Sequence, residues 1–201
     1  MDLECDGLIS QRTIYFPQTE VVRLKHEAMV DLRRLGLQVP FLSSGDVVVA
    51  WLYKHFYGDE HYDAERTSGF IYIMDARIRL PEIFTPDKVY LKNGYILNVT
   101  IKYANSKMRD MTLGEIAWLV RELAIEGSKP ETIIDHLTWK YNNAGAAQVP
   151  VPPGERVMST SNWLTFGFGE LSIANVIKPG SGIGEVLDTY WWMPGTPRYI
   201  G

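Results

Sequence analysis

The chain has 201 residues, of which 46% are hydrophobic, with six Trp and eleven Tyr and a formal net charge of −4. A chain of this length can bury roughly 70% of its unfolded surface as one domain, or serve as half of a two-domain protein. It carries no basic stripe to pair with phosphates, which argues against nucleic acid as a partner. Its one cysteine, Cys5, excludes an internal disulfide and a thiolate metal cluster.

In chain order, residues 1–11 read as a loose lead-in whose acidic start, MDLECD, is not that of a signal peptide. Thr13 to Phe16 is a short strand candidate stopped by Pro17. Thr19 is placed to cap a helix with apolar residues at Val21, Leu24, Ala28, Leu32 and Leu35, ending at Gly36. Beyond Pro40, Ser43 or Ser44 opens a second helix reaching about Tyr57. The unbroken apolar run Val47 to Leu52 predicts burial nearly all round. Asp46, in the first turn, suits the positive end of the helix dipole.

The stretch Ser68 to Thr100 predicts the centre of a sheet. Phe70 to Met74 is apolar on both faces, as in a strand covered on both sides. Ile96 to Tyr103 alternates, with Leu97, Val99, Ile101 and Tyr103 expected inward and Asn98, Thr100 and Lys102 outward. Asp75, Arg77 and Arg79 follow the first strand and are expected to project to one side. They are either a cationic patch for an anionic substrate or an internal salt-bridge network, and a buried arginine's need for a carboxylate favours the second.

Thr112 to Glu115 is a capping box opening a helix with the stripe Leu113, Ile116, Ala117, Val120, Leu123 and Ala124, closed by Gly127. Ser128 to Glu131 reads as a second box, opening a helix through Ile133, Ile134, Leu137 and Tyr141. Ala144 to Glu155 is a loop. Val157 to Trp163 and Leu171 to Ile177 are strand candidates, and a Gly- and Pro-rich tail from Lys178 carries Trp191, Trp192 and Tyr199. Those aromatic residues suggest docking, and apolar surface of this kind predicts poor solubility or self-association.

Candidate chemistry is sparse. His26 and His136 fall in helices, while His55 and His61 flank Asp59, Glu60 and Asp63. A metal-dependent hydrolase on His55, His61 and Asp63 is an alternative, but a polar helix end explains the cluster more simply, and no metal is expected. There is no G-x-S-x-G elbow, and Gly180 to Gly184 lacks the lysine of a phosphate loop.

Five short motifs in order carry a resemblance. They are RTIYF with VVRLK at 12–25, SSGDVVVAWLY at 43–53, MDARIRL at 74–80, YLKN at 90–93 and SNWLTFGFG at 161–169. In order and spacing they are similar to the C-terminal half of the BAHD-type, CoA-dependent acyltransferases, most closely the fungal branch. The resemblance implies an α/β fold: a mixed β-sheet with flanking helices, like one half of the two-domain chloramphenicol-acetyltransferase-like fold. Residues 1–201 form a single domain on this reading, with 1–11 and 178–201 loosely attached or completing a missing partner. It further implies acyl transfer from acyl-CoA, a co-substrate rather than a bound cofactor, to a hydroxyl or amine of a small secondary metabolite. The chain would form one wall of a tunnel, with Asn93, Gly94, Asn98 and Thr100 as candidate lining. Ser43, Asp46, Asp75, Arg77, Arg79, Trp163, Gly167 and Gly169 match structural motif positions.

Departures from the family pattern are specific. Lys92 replaces a turn glycine, and Thr165 stands where an Asp normally precedes Phe166-Gly167-Phe168-Gly169. The family's HxxxDG base is absent; His55 and Asp59 match the bare HxxxD spacing, but with Glu60 in place of Gly and after the Ser-x-x-Asp helix. The chain alone is therefore expected to be inactive, with a missing N-terminal half as partner and a cytoplasmic location. The rival reading is a non-catalytic pseudoenzyme or binding fragment that needs a partner half.

Overall fold

The computed structural model describes residues 14–56, 64–90, 94–144 and 156–161, all within the compact unit Ile14–Ser161. The predicted strand at Leu171 to Ile177, the lead-in and the tail lie outside the described residues. Helices α1 (Gln18–Arg34) and α2 (Ser44–Phe56) precede strand β1 (Thr67–Asp75) and a 3-10 turn, Arg77–Arg79. Strand β2 (Tyr95–Ala104) leads into the short helix α3 (Asn105–Asp110), followed by α4 (Leu113–Gly127), α5 (Pro130–Asn142) and strand β3 (Arg156–Ser161).

The sheet is mixed, with β1 in the middle. It runs antiparallel to β2 and parallel to β3, in the order β2-β1-β3. Residues paired across strands share a face. Phe70, Tyr72 and Met74 therefore lie beside Thr100, Asn98 and Ile96 on one side and, for Phe70 and Tyr72, beside Met158 and Thr160 on the other. On this face Phe70 and Met158 join a core with Val21, Leu24, Ala28 and Leu32 of α1, Val47, Ala50 and Tyr53 of α2, and Ile116, Ala117 and Val120 of α4. Every residue from Asp46 to Lys54 is at least half-buried, as the continuous apolar run of α2 predicts.

Helix ends follow sequence chemistry at Thr112 and Gly36 and depart from it at Thr19 and Ser128. Thr112 and Glu115 form the full reciprocal box at the start of α4, with Glu115 N–H donating to Thr112 Oγ1 (3.2 Å) and Thr112 N–H to Glu115 Oε2 (2.8 Å). Gly36 closes α1 at φ 74°, a left-handed value that glycine adopts freely. The Leu37 and Gly36 N–H groups return to Leu32 and Arg33 carbonyls, the paired bonds of a Schellman closure. The other two points differ. Pro17, not Thr19, stands at the cap of α1, with no side-chain cap bond, and Ile14 to Phe16 form no strand. Ser128 belongs to the end of α4, where its hydroxyl donates to the Ala124 carbonyl, so Lys129 precedes α5 and the second box does not form. A hydroxyl so close to a helix C-terminus finds a free carbonyl before it finds the next helix's N–H groups.

The faces of β2 also depart from expectation. Leu97 is buried as expected, but Asn98 and Thr100 are buried as well, beneath the helices, whereas Val99 is only half-buried. Asn98 fits because Gly127 leaves room: a Cβ there would fall 1.7 Å from Asn98 Nδ2. Its amide donates to Met74 Sδ at 3.3 Å.

At Gly114 two helices meet without a side chain between them. An added Cβ would stand 2.4 Å from the Ala28 carbonyl oxygen and 2.8 Å from Asp31 Cβ. The first obstacle is backbone, so α1 has to shift. Gly114→Ala is expected to destabilise the chain by about 1–3 kcal/mol despite alanine's better helix propensity. Urea denaturation checks this; a gain in stability would mean that the helices re-seat at no cost.

Candidate functional site

The predicted charge cluster occupies the corner where β1 ends. Asp75 is the last strand residue, and its carboxylate accepts the Arg77 N–H at 2.9 Å as the chain turns. The Arg77 guanidinium then folds back on the same carboxylate, with Nε 2.9 Å from Oδ1 and Nη2 2.7 Å from Oδ2. This pairing holds the Asp75 carboxyl below the ordinary range, chiefly through its hydrogen bond with the Arg77 side chain. Arg77 is raised by the same bond.

Arg79 leaves in another direction, because residues 77–79 form a 3-10 turn and not a strand. Its Nη1 donates to the Asp75 carbonyl at 2.8 Å and its Nε to Ser128 Oγ at 3.3 Å, tying the corner to the end of α4. The three charges therefore do not project to one side as a patch. Gly94 completes the corner: its carbonyl accepts the Ala76 N–H at 2.7 Å, and a Cβ on it would meet Arg77 Cγ at 2.7 Å.

A second ionic centre lies under the helices. Ser43 and Asp46 exchange bonds at the start of α2, with the Ser43 N–H donating to Asp46 Oδ2 (2.6 Å) and the Asp46 N–H to Ser43 Oγ (3.2 Å). The same Oδ2 accepts Arg121 Nε at 2.8 Å and Nη2 at 2.5 Å. Asp46 is 1% exposed and Arg121 15%, so the carboxylate is sealed from water and the guanidinium largely removed from it. Phe41 covers it, with its ring centre 4.6 Å from the guanidinium carbon. Burial, and then the Asp46 carboxylate, push the Tyr72 hydroxyl upward, keeping it a neutral phenol.

The apolar stripe of α4 does not itself mark Arg121, which stands four residues after Ala117 and three before Ala124. That spacing places it at the edge of the apolar face, beside α2. A lone arginine at such a position is the signal for a buried carboxylate partner on a neighbouring helix.

The other candidates stand apart from both centres. Thr100 lines a narrow crevice with Ser68, Gly69, Phe70, Tyr103, Met108 and Leu119, and among the described residues its Oγ1 has no hydrogen-bond partner. His55 is exposed; its ring stacks on Trp51 with centres 3.9 Å apart, and its Nδ1 lies 2.7 Å from the Trp51 carbonyl. His26 is exposed on α1, and His136 is half-buried on α5. Asp59, His61, Asp63, Asn93, Trp163, Gly167 and Gly169 lie outside the described residues. Among the described residues no group of three His, Cys, Asp or Glu could hold a metal ion.

No protein-family model matches the chain. Individual relatives do. An acetyltransferase, adrJ, of Penicillium rubens is 26% identical over 198 residues, covering 94% of this chain and 39% of the relative. Acetyltransferase pyiB of Pyricularia grisea is 25% identical over 168 residues, covering 82% of this chain and 33% of the relative. In fold, the chain matches F. sporotrichioides TRI101, solved with coenzyme A and T-2, at a TM-score of 0.62 and 16% identity. That match covers 84% of this chain and 37% of TRI101.

The chain resembles part of a BAHD-type acyltransferase. It spans about two fifths of the length of the Penicillium rubens relative. The α/β expectation holds, with a mixed sheet and helices laid over it. Two motifs carrying the family resemblance, Ser43 with Asp46 and Asp75 with Arg77 and Arg79, sit at a helix start and a strand end, each closed on internal partners. Among the described residues no helix is long and apolar enough to cross a membrane.

Proposed function

We propose that this chain is part of an enzyme that moves an acyl group from acyl-CoA to a hydroxyl or amine of a small secondary metabolite. The observation that carries the reading is likeness to an acetyltransferase along 94% of the chain, joined to a fold shared with an enzyme crystallised with coenzyme A. In that chemistry a general base takes the acceptor's proton, the acceptor attacks the thioester carbonyl, and the CoA thiolate departs. The chain contributes scaffold and not the base. The HxxxDG motif is absent from its sequence, and the His55 ring is occupied at Nδ1 by its own helix.

The tunnel wall on this reading includes Gly94, at the corner that the Asp75–Arg77 pair stiffens, and its sequence neighbour Asn93. Asn98 and Thr100 back that wall from beneath the helices. The missing partner is the portion bearing the base, and the assembled enzyme works in the cytoplasm without a bound cofactor.

The test is release of free thiol from acetyl-CoA in the presence of candidate acceptors. The lone chain is expected to give none, and the HxxxDG-bearing half of a fungal relative, added in trans, is expected to restore it. His55→Ala is expected to leave the restored rate unchanged. CoA binding by the chain with no turnover under any pairing would favour the rival reading, a non-catalytic binding fragment. Neither binding nor turnover would overturn both.

A further inference from the structure

In the described sheet β2 is an edge strand, and an edge leaves backbone N–H and C=O groups without strand partners. Two of these groups are taken by side chains of α5. The Leu97 N–H donates to His136 Nε2 at 3.4 Å, and Lys140 Nζ donates to the Tyr95 carbonyl at 3.3 Å. Lys140 also stands 3.8 Å from the centre of the Tyr95 ring. His136 and Lys140 are four residues apart, so one face of α5 brackets the Tyr95–Leu97 edge.

The apolar attachment of α5 is thin. Ile133 is its one fully buried residue, packed with Leu137 against Met74, Ala76, Leu80 and Ile96, while Ile134, Trp139 and Tyr141 remain exposed. The two polar contacts add to that thin apolar attachment in holding the helix on the strand.

We propose that α5 is a pH-sensitive latch on the edge of β2, closed by neutral His136 and released when the imidazole gains a second proton. Only an unprotonated Nε2 can accept the Leu97 N–H, which puts the ring's proton on Nδ1. Protonation converts that acceptor to a donor facing a donor. It also sets a second cation one helical turn from Lys140. Of the groups around the ring, Lys140 is the cation on α5; on β2, Tyr95 is the titratable neighbour, and Ile96, Leu97 and Asn98 carry none.

Burial, and then Lys140, lower the His136 pKa in the folded chain. The folded state thus binds fewer protons at this site than the unfolded state. The contribution to stability is complete above the ordinary histidine value of about 6.5 and is lost as pH falls through the lowered one.

Amide hydrogen exchange at Leu97, corrected for the intrinsic pH dependence of exchange, tests the latch. Its protection factor is expected to fall about tenfold or more between pH 7.5 and pH 5. His136→Gln supplies a neutral acceptor that does not titrate, and its protection is expected to stay level over the same range. Level protection in the unmodified chain, or an unchanged fall in the glutamine variant, would overturn the proposal. Nitrogen chemical shifts of the His136 ring in the unmodified chain give a second reading independent of any variant. A bare Nε2 with a protonated Nδ1 at pH 7.5 supports the latch, and a protonated Nε2 defeats it.

Discussion

Arg121→Ala is expected to destabilise the chain by about 3–5 kcal/mol, measured as the change in unfolding free energy from urea denaturation. The size comes from what remains behind. Asp46 keeps its place in the first turn of α2 with 1% of its side chain exposed, and the arginine supplies two of the three hydrogen bonds to its Oδ2. A carboxylate so placed cannot turn to water without unwinding the helix start that Ser43 helps to hold. Removing both charges is a different experiment. Asp46→Asn combined with Arg121→Met leaves no buried ion, and part of the loss is expected to return. A loss of less than about 1 kcal/mol for Arg121→Ala would show that the pair behaves as if exposed to solvent.

This pair also marks the limit of what the sequence makes legible. Elements with a strong period or a reciprocal cap are plain in the residues: the stripe of α1 from Val21 to Leu32, the buried run of α2 and the Thr112–Glu115 box are realised, while Leu35, expected on the stripe, lies past the helix end and is exposed. The sheet core is legible too, because Phe70 to Met74 is apolar on both faces and β1 lies in the middle of the sheet. Contacts that depend on a distant element are not. Alternation along β2 shows two faces but not which one meets the helices, and the absent side chain of Gly127 allows Asn98 to take the inner place. Ser128 satisfies the rule for a helix start, yet it sits at the junction of two helices and serves the one that ends. Helix α3, six residues long, is too short to show a period. At the site, Asp75 and Arg77 are adjacent enough to be paired by eye, whereas the destination of Arg79 at Ser128 spans 49 positions of sequence.

Phe70→Ala should cost about 3–5 kcal/mol, and its cause is packing and not charge. Phe70 is 1% exposed on the central strand, flanked in register by Thr100 and Met158, with its ring centre 5.0 Å from that of Tyr53. The neighbourhood is poorly able to collapse around a void. Ser68, two residues away, is fixed by a buried hydrogen bond with the Tyr53 hydroxyl, and the strand backbone is held by ladders on both sides. A narrow crevice lined by Ser68, Gly69, Thr100 and Met108 abuts Phe70. The cost therefore falls toward the upper end of the range, since it grows with the cavity that remains. Tyr53→Phe removes only the hydroxyl and strands Ser68 Oγ, a smaller loss of about 1–3 kcal/mol. Ile78, 74% exposed in the turn after β1, supplies the contrast: Ile78→Ala is expected to stay within about 0.5 kcal/mol of the unmodified chain. If Phe70→Ala cost no more than Ile78→Ala, the sheet and helices would not share the core that Phe70, Tyr53 and Met158 define.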